Sequence, residues 1–203
     1  MAWDTEATKQ QLLDAGARQF AAHGFAGARM DAIGRDAGVN KERVYQYFGN
    51  KQGLFDAVLD DRLTNLLLVA GIPDTGAQGV GEFAGSLFDH FSAAPELARL
   101  LAWESLEVVP AQSGTPLTPS EICRADSCAD QTLALQAALP SVGREAASHL
   151  LLSIVALCAS WWTLARVGEM IAPDATQGAR RAALVEQVTA LAERASAVTE
   201  TRA

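Results

Sequence analysis

From Lys41 to Lys51 the chain gathers Lys, Glu, Arg, Tyr, Gln and Tyr within eleven residues, side chains that bond to bases and phosphates. Arg grips guanine O6 and N7, Gln pairs with adenine, and Lys and Tyr hold phosphate oxygens. If this short segment is helical, Val44 and Phe48, four apart, form its buried stripe. Lys41, Glu42, Arg43, Tyr45 and Gln46 then point away from that stripe. Upstream, Met30, Ile33 and Ala37 make the apolar stripe of another short helix, which stops at Gly38, a residue suited to the left-handed position after a helix. Val39 starts the turn, and Asn40 is placed to accept from the free N–H groups of the second helix. Helix, glycine turn and polar second helix together have the layout of a helix-turn-helix that reads DNA. The same residues also make an ordinary solvated face on a small helix, and the pattern alone does not decide between the two.

The run AGVNKERVYQYFGNKQGLF, residues 37–55, closely resembles the signature of the tetracycline-repressor (TetR) family. Its diagnostic parts are the turn, Tyr45-Gln46-Tyr47-Phe48, and the Lys51-x-x-Leu54 that follows. With Phe20, Gly24 and Phe25 the resemblance extends over residues 8–55, about a quarter of the chain. It implies that Tyr47 and Lys51 hold phosphates and that the following helices form an effector-binding and dimerisation domain. Two positions depart from the family. Where a Ser or Thr usually caps the second helix, this chain has Ala28 and Arg29, so Arg29 is available for phosphate but supplies no cap. Glu42 and Arg43 stand where a small residue and Thr or Ser are common. A carboxylate beside phosphates is costly but accepts from cytosine N4, so Glu42 either reads a base or turns toward Arg43.

The elements that must carry this segment are helices throughout, about nine of them, in an all-α fold with no alternating strand pattern and no repeat. Residues 5–23 precede the helix-turn-helix, and a connecting helix runs from Lys51 to Leu68 until GIPDTGAQG breaks it. Val80–Ala93, Pro95–Val109, Pro119 to about Leu139, Arg144–Ile171 and Gln177–Val198 follow, with a loop at about 110–118. The expected division is a DNA-binding head over residues 1–50 and a helical body over 51–203.

Net charge is −8 over 203 residues, which at first opposes DNA binding. Its distribution reverses that inference. Residues 8–55 hold seven Lys and Arg against four Asp and Glu, and all three lysines, Lys9, Lys41 and Lys51, lie there. One end therefore tolerates phosphate while the rest repels it. Residues 1–23 form a charged amphipathic segment rather than a signal peptide, and the apolar tract Leu150–Ala165, interrupted by Ser153, Ser160 and Thr163, is shorter than a membrane span needs. A cytoplasmic protein without a membrane partner is expected.

Catalytic chemistry is sparse. His23, His90 and His149 are scattered, and Cys123, Cys128 and Cys158 form no C-x-x-C pair, so reduced structural thiols are expected, with no metal, cofactor or catalytic residue. In the C-terminal half, Leu150, Leu151, Ile154, Val155, Leu157, Trp161, Trp162 and Leu164 wrap too far around one helix for a single neighbour. Leu184, Val185, Val188 and Leu191 stripe the last helix. The family resemblance implies a homodimer across these two helices, with Leu151, Val155, Trp162, Leu184, Val188 and Leu191 at the interface; a helix buried within one chain is the alternative. Phe88, Phe91, Trp103, Glu107, Trp161 and Arg166, with Phe83, His90 and Glu104 near them, are candidates for an effector cavity. Each is also an ordinary core or surface residue. The expected function is a ligand-responsive repressor that binds a palindromic double-stranded operator and is released by a small molecule. A constitutive DNA-binding module and an all-helical enzyme are the competing readings.

Overall fold

A computed structural model describes residues 5–69, 71–73, 75–107 and 119–200. Among these, all regular structure is helical: α1 (Thr5–Gly27), α2 (Met30–Asp36), α3 (Lys41–Phe48), α4 (Lys51–Val69), α5 (Gly76–Ala93), α6 (Pro95–Glu107), α7 (Pro119–Ala138), α8 (Arg144–Thr163), α9 (Ala165–Ile171) and α10 (Gln177–Glu200). The expected loop at 110–118 lies outside the described residues.

The expectation of about nine helices falls one short because the stretch Arg144–Ile171 is not continuous. Leu164 leaves helical geometry at φ −112°, ψ 26°, which ends α8 and starts α9. Helix α5 begins at Gly76, four residues before the expected start. Gly79, Val80 and Gly81 are all buried there, and the packing that buries them outweighs glycine's poor helix propensity.

The chain forms two compact units. One comprises the described residues of 1–64 and 96–124, the other those of 65–95 and 125–203. The first unit, which holds the helix-turn-helix, also takes in the first part of α4, nearly all of α6 and the start of α7. Its core holds Leu12, Phe20, Ile33, Val44, Leu54, Val58 and Leu59 with Leu97, Ala98 and Leu100 from α6. Phe20, Phe25 and Phe55 form an aromatic cluster with centroids 4.9 to 6.2 Å apart, within the range of favourable ring pairs. Arg62 on α4 reaches Asp14 on α1 at 2.6 Å.

In the second unit α5 and α10 approach closely. A methyl group on Gly81 would lie 2.9 Å from the Val185 carbonyl, and one on Gly85 3.0 Å from both Val185 Cγ2 and Arg181 Nη2. Leu184, Val188 and Ala192, one stripe of α10, are fully buried within the chain. Helix α8 buries Ala147, Leu150, Ile154 and Cys158 and leaves Leu152 exposed. Its length of 20 residues corrects the expectation drawn from Leu150–Ala165: by length and composition α8 is sufficient to cross a membrane. Half-burial of one stripe is equally the pattern of a helix packed in a water-soluble bundle.

Candidate nucleic-acid interface

The turn between α2 and α3 is built by local chemistry. Ala37 ends α2, Gly38 takes φ 71°, its N–H donates to Arg35 O at 3.2 Å, and Val39 N–H donates to Gly34 O at 2.8 Å. This is the paired 5→2 and 6→1 pattern that closes a helix on a left-handed residue. Asn40 then caps α3, its side-chain oxygen accepting from Arg43 N–H at 3.0 Å. Gly34 lets the helices cross: a side chain there would meet Val39 O at 2.9 Å and Val44 Cγ2 at 3.2 Å. Apolar periodicity does not single out Gly34. A glycine inside a helical run carries a signal for such a crossing, but it does not name the partner.

Helix α3 buries Val44 and half-buries Phe48, leaving Lys41, Glu42, Tyr45 and Gln46 on an exposed face. Lys41 Nζ lies 5.7 Å from the Tyr45 ring centroid, so cation and ring stand side by side on that face. Arg43 and Tyr47 occupy its half-buried flanks. The Tyr47 hydroxyl donates to Thr5 O at 3.4 Å, which ties α3 to the start of α1. Six of the eight expected base-reading and phosphate-holding residues therefore share one helix, four on its exposed face and two at its edge.

The other two expected contacts are already engaged within the chain. Arg29 precedes α2 with no side-chain cap, as its residue type dictates, and its guanidinium makes two bonds to Asp31, at 3.1 and 3.3 Å. Arg35 adds a 3.2 Å pair, and the hydrogen bond from Arg29 leads in holding Asp31 below the usual carboxylate range. Lys51 Nζ donates to Ala26 O at 3.1 Å and Ala28 O at 3.0 Å, and sits 4.8 Å from the Phe25 ring centroid. An ammonium has three N–H bonds, and two of them here hold the end of α1.

The residues proposed for an effector cavity are divided between the two units. Phe88 and Phe91 are fully buried core rings against Trp162, 4.9 and 5.9 Å away. Arg166 is exposed and paired with Glu169 at 3.0 Å. Trp103 belongs to the head's unit and lies on Gly24, where a methyl group would be 3.0 Å from three indole atoms. Glu104 pairs with Arg124 at 2.7 Å, and the Glu107 side chain falls outside the described set. Trp161 lines a groove of about 610 Å³ at the end of α8, α9 and the start of α10, with Leu164, Val167, Ile171, Pro173, Ala179 and Arg180.

Of the interface candidates, Leu184 and Val188 are corrected: both are fully buried inside the chain, on the helix that meets α5 at Gly81 and Gly85 through Arg181, Val185 and Thr189. Leu151, Val155 and Trp162 are half-buried and Leu191 is exposed. Exposed apolar surface lies on α8, on α9 and at the break between them, at Leu152, Leu164, Val167, Met170 and Ile171, of which the sequence pattern marks Leu164 alone.

Comparison with known proteins agrees with this architecture. Residues 12–58 match the family of bacterial regulatory proteins, tetR family, and residues 79–194 match the tetracyclin repressor-like C-terminal domain. The chain is 37% identical over 133 residues to the HTH-type transcriptional repressor SCO4008 of Streptomyces coelicolor, covering 66% of this chain and 65% of that protein. It is 30% identical over 112 residues to the HTH-type transcriptional repressor NicS of Pseudomonas putida, covering 52% and 51%. The matched stretch thus spans about two thirds of one curated relative and half of the other. The solved structure of SCO4942 from Streptomyces coelicolor superposes with TM-score 0.69 at 31% identity, over 89% of this chain and 96% of that one. With a helix-turn-helix at one end and the tetracyclin repressor-like domain over more than half its length, the chain belongs to the TetR family of bacterial regulatory proteins.

Proposed function

We propose that the protein is a repressor that binds a palindromic operator as a homodimer and is released by a small molecule. The observation that carries DNA reading is the exposed face of α3, where Lys41, Glu42, Tyr45 and Gln46 stand clear of the core and Arg43 flanks them. A helix so equipped supplies phosphate and base-edge chemistry in the major groove, and two copies on a two-fold axis read two half-sites.

Support for the homodimer comes from the outer face of the second unit. Leu152 on α8 and Leu164, Val167, Met170 and Ile171 at α9 are exposed, a concentration of apolar surface that water disfavours and a second copy would cover. This puts the proposed interface on the outward sides of α8 and α9, with Leu151, Val155 and Leu191 at its margin, rather than on Leu184 and Val188.

Release by a small molecule requires an effector that binds the DNA-free form better than the DNA-bound form. The family supports this step. A second reading, a regulator without an effector, draws on one observation: Phe88 and Phe91 are closed off by Trp162 and leave no room for a ligand between those rings.

Selection of bound duplexes from a random-sequence pool tests the reading. A two-fold symmetric site is expected, and candidate lipophilic compounds should weaken its binding. A sequence without symmetry overturns the homodimeric operator, and a symmetric site unaffected by any compound favours the effector-free regulator.

A further inference from the structure

We propose that Trp103 is a positioning residue for DNA binding: seated on Gly24, its indole holds the corner between α1 and α2 at the angle the recognition helix needs. The inference rests on the operator-binding reading above and adds to it a residue on a helix other than the DNA-reading one.

Gly24 interrupts α1 with φ 69° and ψ 176°, a conformation that favours glycine. The absence of a side chain there is used. A methyl group at Gly24 would stand 3.0 Å from three atoms of the Trp103 ring, so the indole lies directly against the backbone of the bend. From that point the contacts run without a gap to the DNA-reading helix. Phe25, the next residue, packs with Phe20 and Phe55. Lys51 covers Phe25 and ties down the Ala26 and Ala28 carbonyls, while Ala28 N–H donates to Gly24 O at 3.1 Å.

Ala28 leads into Arg29, which opens α2 without a side-chain cap. A helix start whose preceding residue supplies no side-chain cap has less of its own to fix its direction. Here that direction is fixed by the burial of Met30 and Ile33 and by the Arg18–Asp36 pair, to which the preceding corner adds. Beyond it, α2 is locked to α3 by the Gly38 turn and by the Gly34–Val44 crossing, so a rotation of the corner moves α3 as one piece. Trp103 is contributed by α6, sequence-distant from the helix-turn-helix yet part of the same compact unit.

The test uses Trp103→Ala, Trp103→Leu and Trp103→Phe in the full chain, with the duplex that wild type selects from a random pool. Two measurements are made: affinity for that duplex against salt, on the binding-competent fraction counted by stoichiometric titration, and amide exchange at residues 25–30. Trp103→Ala should raise Kd about tenfold with an unchanged salt slope, and amides at the corner should exchange faster. Trp103→Phe, which keeps a ring on Gly24, should restore most of the affinity. Trp103→Leu serves if the alanine variant does not fold, and should fall between them. Wild-type affinity in the folded alanine or leucine variant overturns the proposal, as does a salt slope reduced by about one unit, which would make Trp103 part of the phosphate contact set. Faster exchange with unchanged affinity also overturns it, because the contact would then serve folding alone. A wild-type chain that selects no duplex defeats the operator reading instead, and the exchange comparison still decides whether Trp103 holds the corner.

Discussion

Arg181 on α10 holds Asp89 on α5 in a fork, with Nε 2.8 Å from Oδ1 and Nη2 2.7 Å from Oδ2. The pair stands beside Gly85, where the two helices come so close that a methyl group would touch Arg181 Nη2 and Val185. Close packing of the two helices outweighs the partly exposed ion pair, since pairs exposed to water contribute about 0–1 kcal/mol.

Gly85→Leu should therefore destabilise the protein by about 1–3 kcal/mol through overpacking, and Asp89→Ala by less. Thermal and denaturant unfolding of both variants compare the two effects. An ion-pair loss larger than the glycine effect would reverse this ranking.

Base preference should depend on Arg43. Arg43→Ala should cost about 1–3 kcal/mol at the selected site and relax preference at one base pair per half-site. Binding to a panel of single-base variants checks it, and an equal loss at every sequence would assign Arg43 to phosphate.

Lys51 carries a different expectation from the one its family position suggests. With two carbonyl acceptors and an aromatic face already occupying its ammonium, Lys51→Ala should lower stability by about 1–2 kcal/mol and leave the salt slope of DNA binding unchanged. Salt titrations alongside thermal melts decide. A slope lower by about one unit would return Lys51 to the phosphate contacts.

Assembly should respond to exposed positions. Leu152→Glu or Met170→Glu should release folded monomers that bind the operator weakly, whereas Leu184→Glu should unfold the chain because that side chain is fully enclosed. Sedimentation with circular dichroism separates these outcomes. Intact dimers in both exposed variants would move the interface elsewhere.

Cys158 offers a pH signature. Burial drives its thiol pKa up from 9.0 to about 12, slightly opposed by the Arg180 charge, and the thiol donates to Ala84 O at 3.4 Å. The folded state therefore retains a proton that the unfolded chain gives up above pH 9. Its contribution is complete below that pH and is lost as pH rises toward about 12. Cys158→Ser should flatten that alkaline decline. At about pH 8, below the ordinary thiol pKa, a thiol reagent should modify the exposed Cys123 and Cys128 of the native protein and spare Cys158.

The helix-turn-helix was legible because its determinants are local. Gly38 needs only its own backbone freedom, Asn40 only the N–H three residues on, and Val44 only a period of four. The rest was set by distant partners. Leu184 and Val188 carry the same apolar stripe whether they face a second copy or the chain's own core, and the close approach of α10 to Gly81 and Gly85, about a hundred residues earlier, leaves no mark in that stripe. Trp103 resembles a cavity wall because a lone aromatic on a helix does not announce that a bent glycine lies beneath it. The break at Leu164 had no proline or glycine to mark it.

Because Trp103, Leu97 and Leu100 complete a head whose other residues lie mostly before position 65, the order of synthesis acquires a meaning. The DNA-reading helix leaves the ribosome early, yet its corner stays unbraced until α6 has emerged, roughly fifty residues later. A nascent chain halted between the two would carry α3 without the brace that aims it, so competence to bind DNA should arrive late in translation.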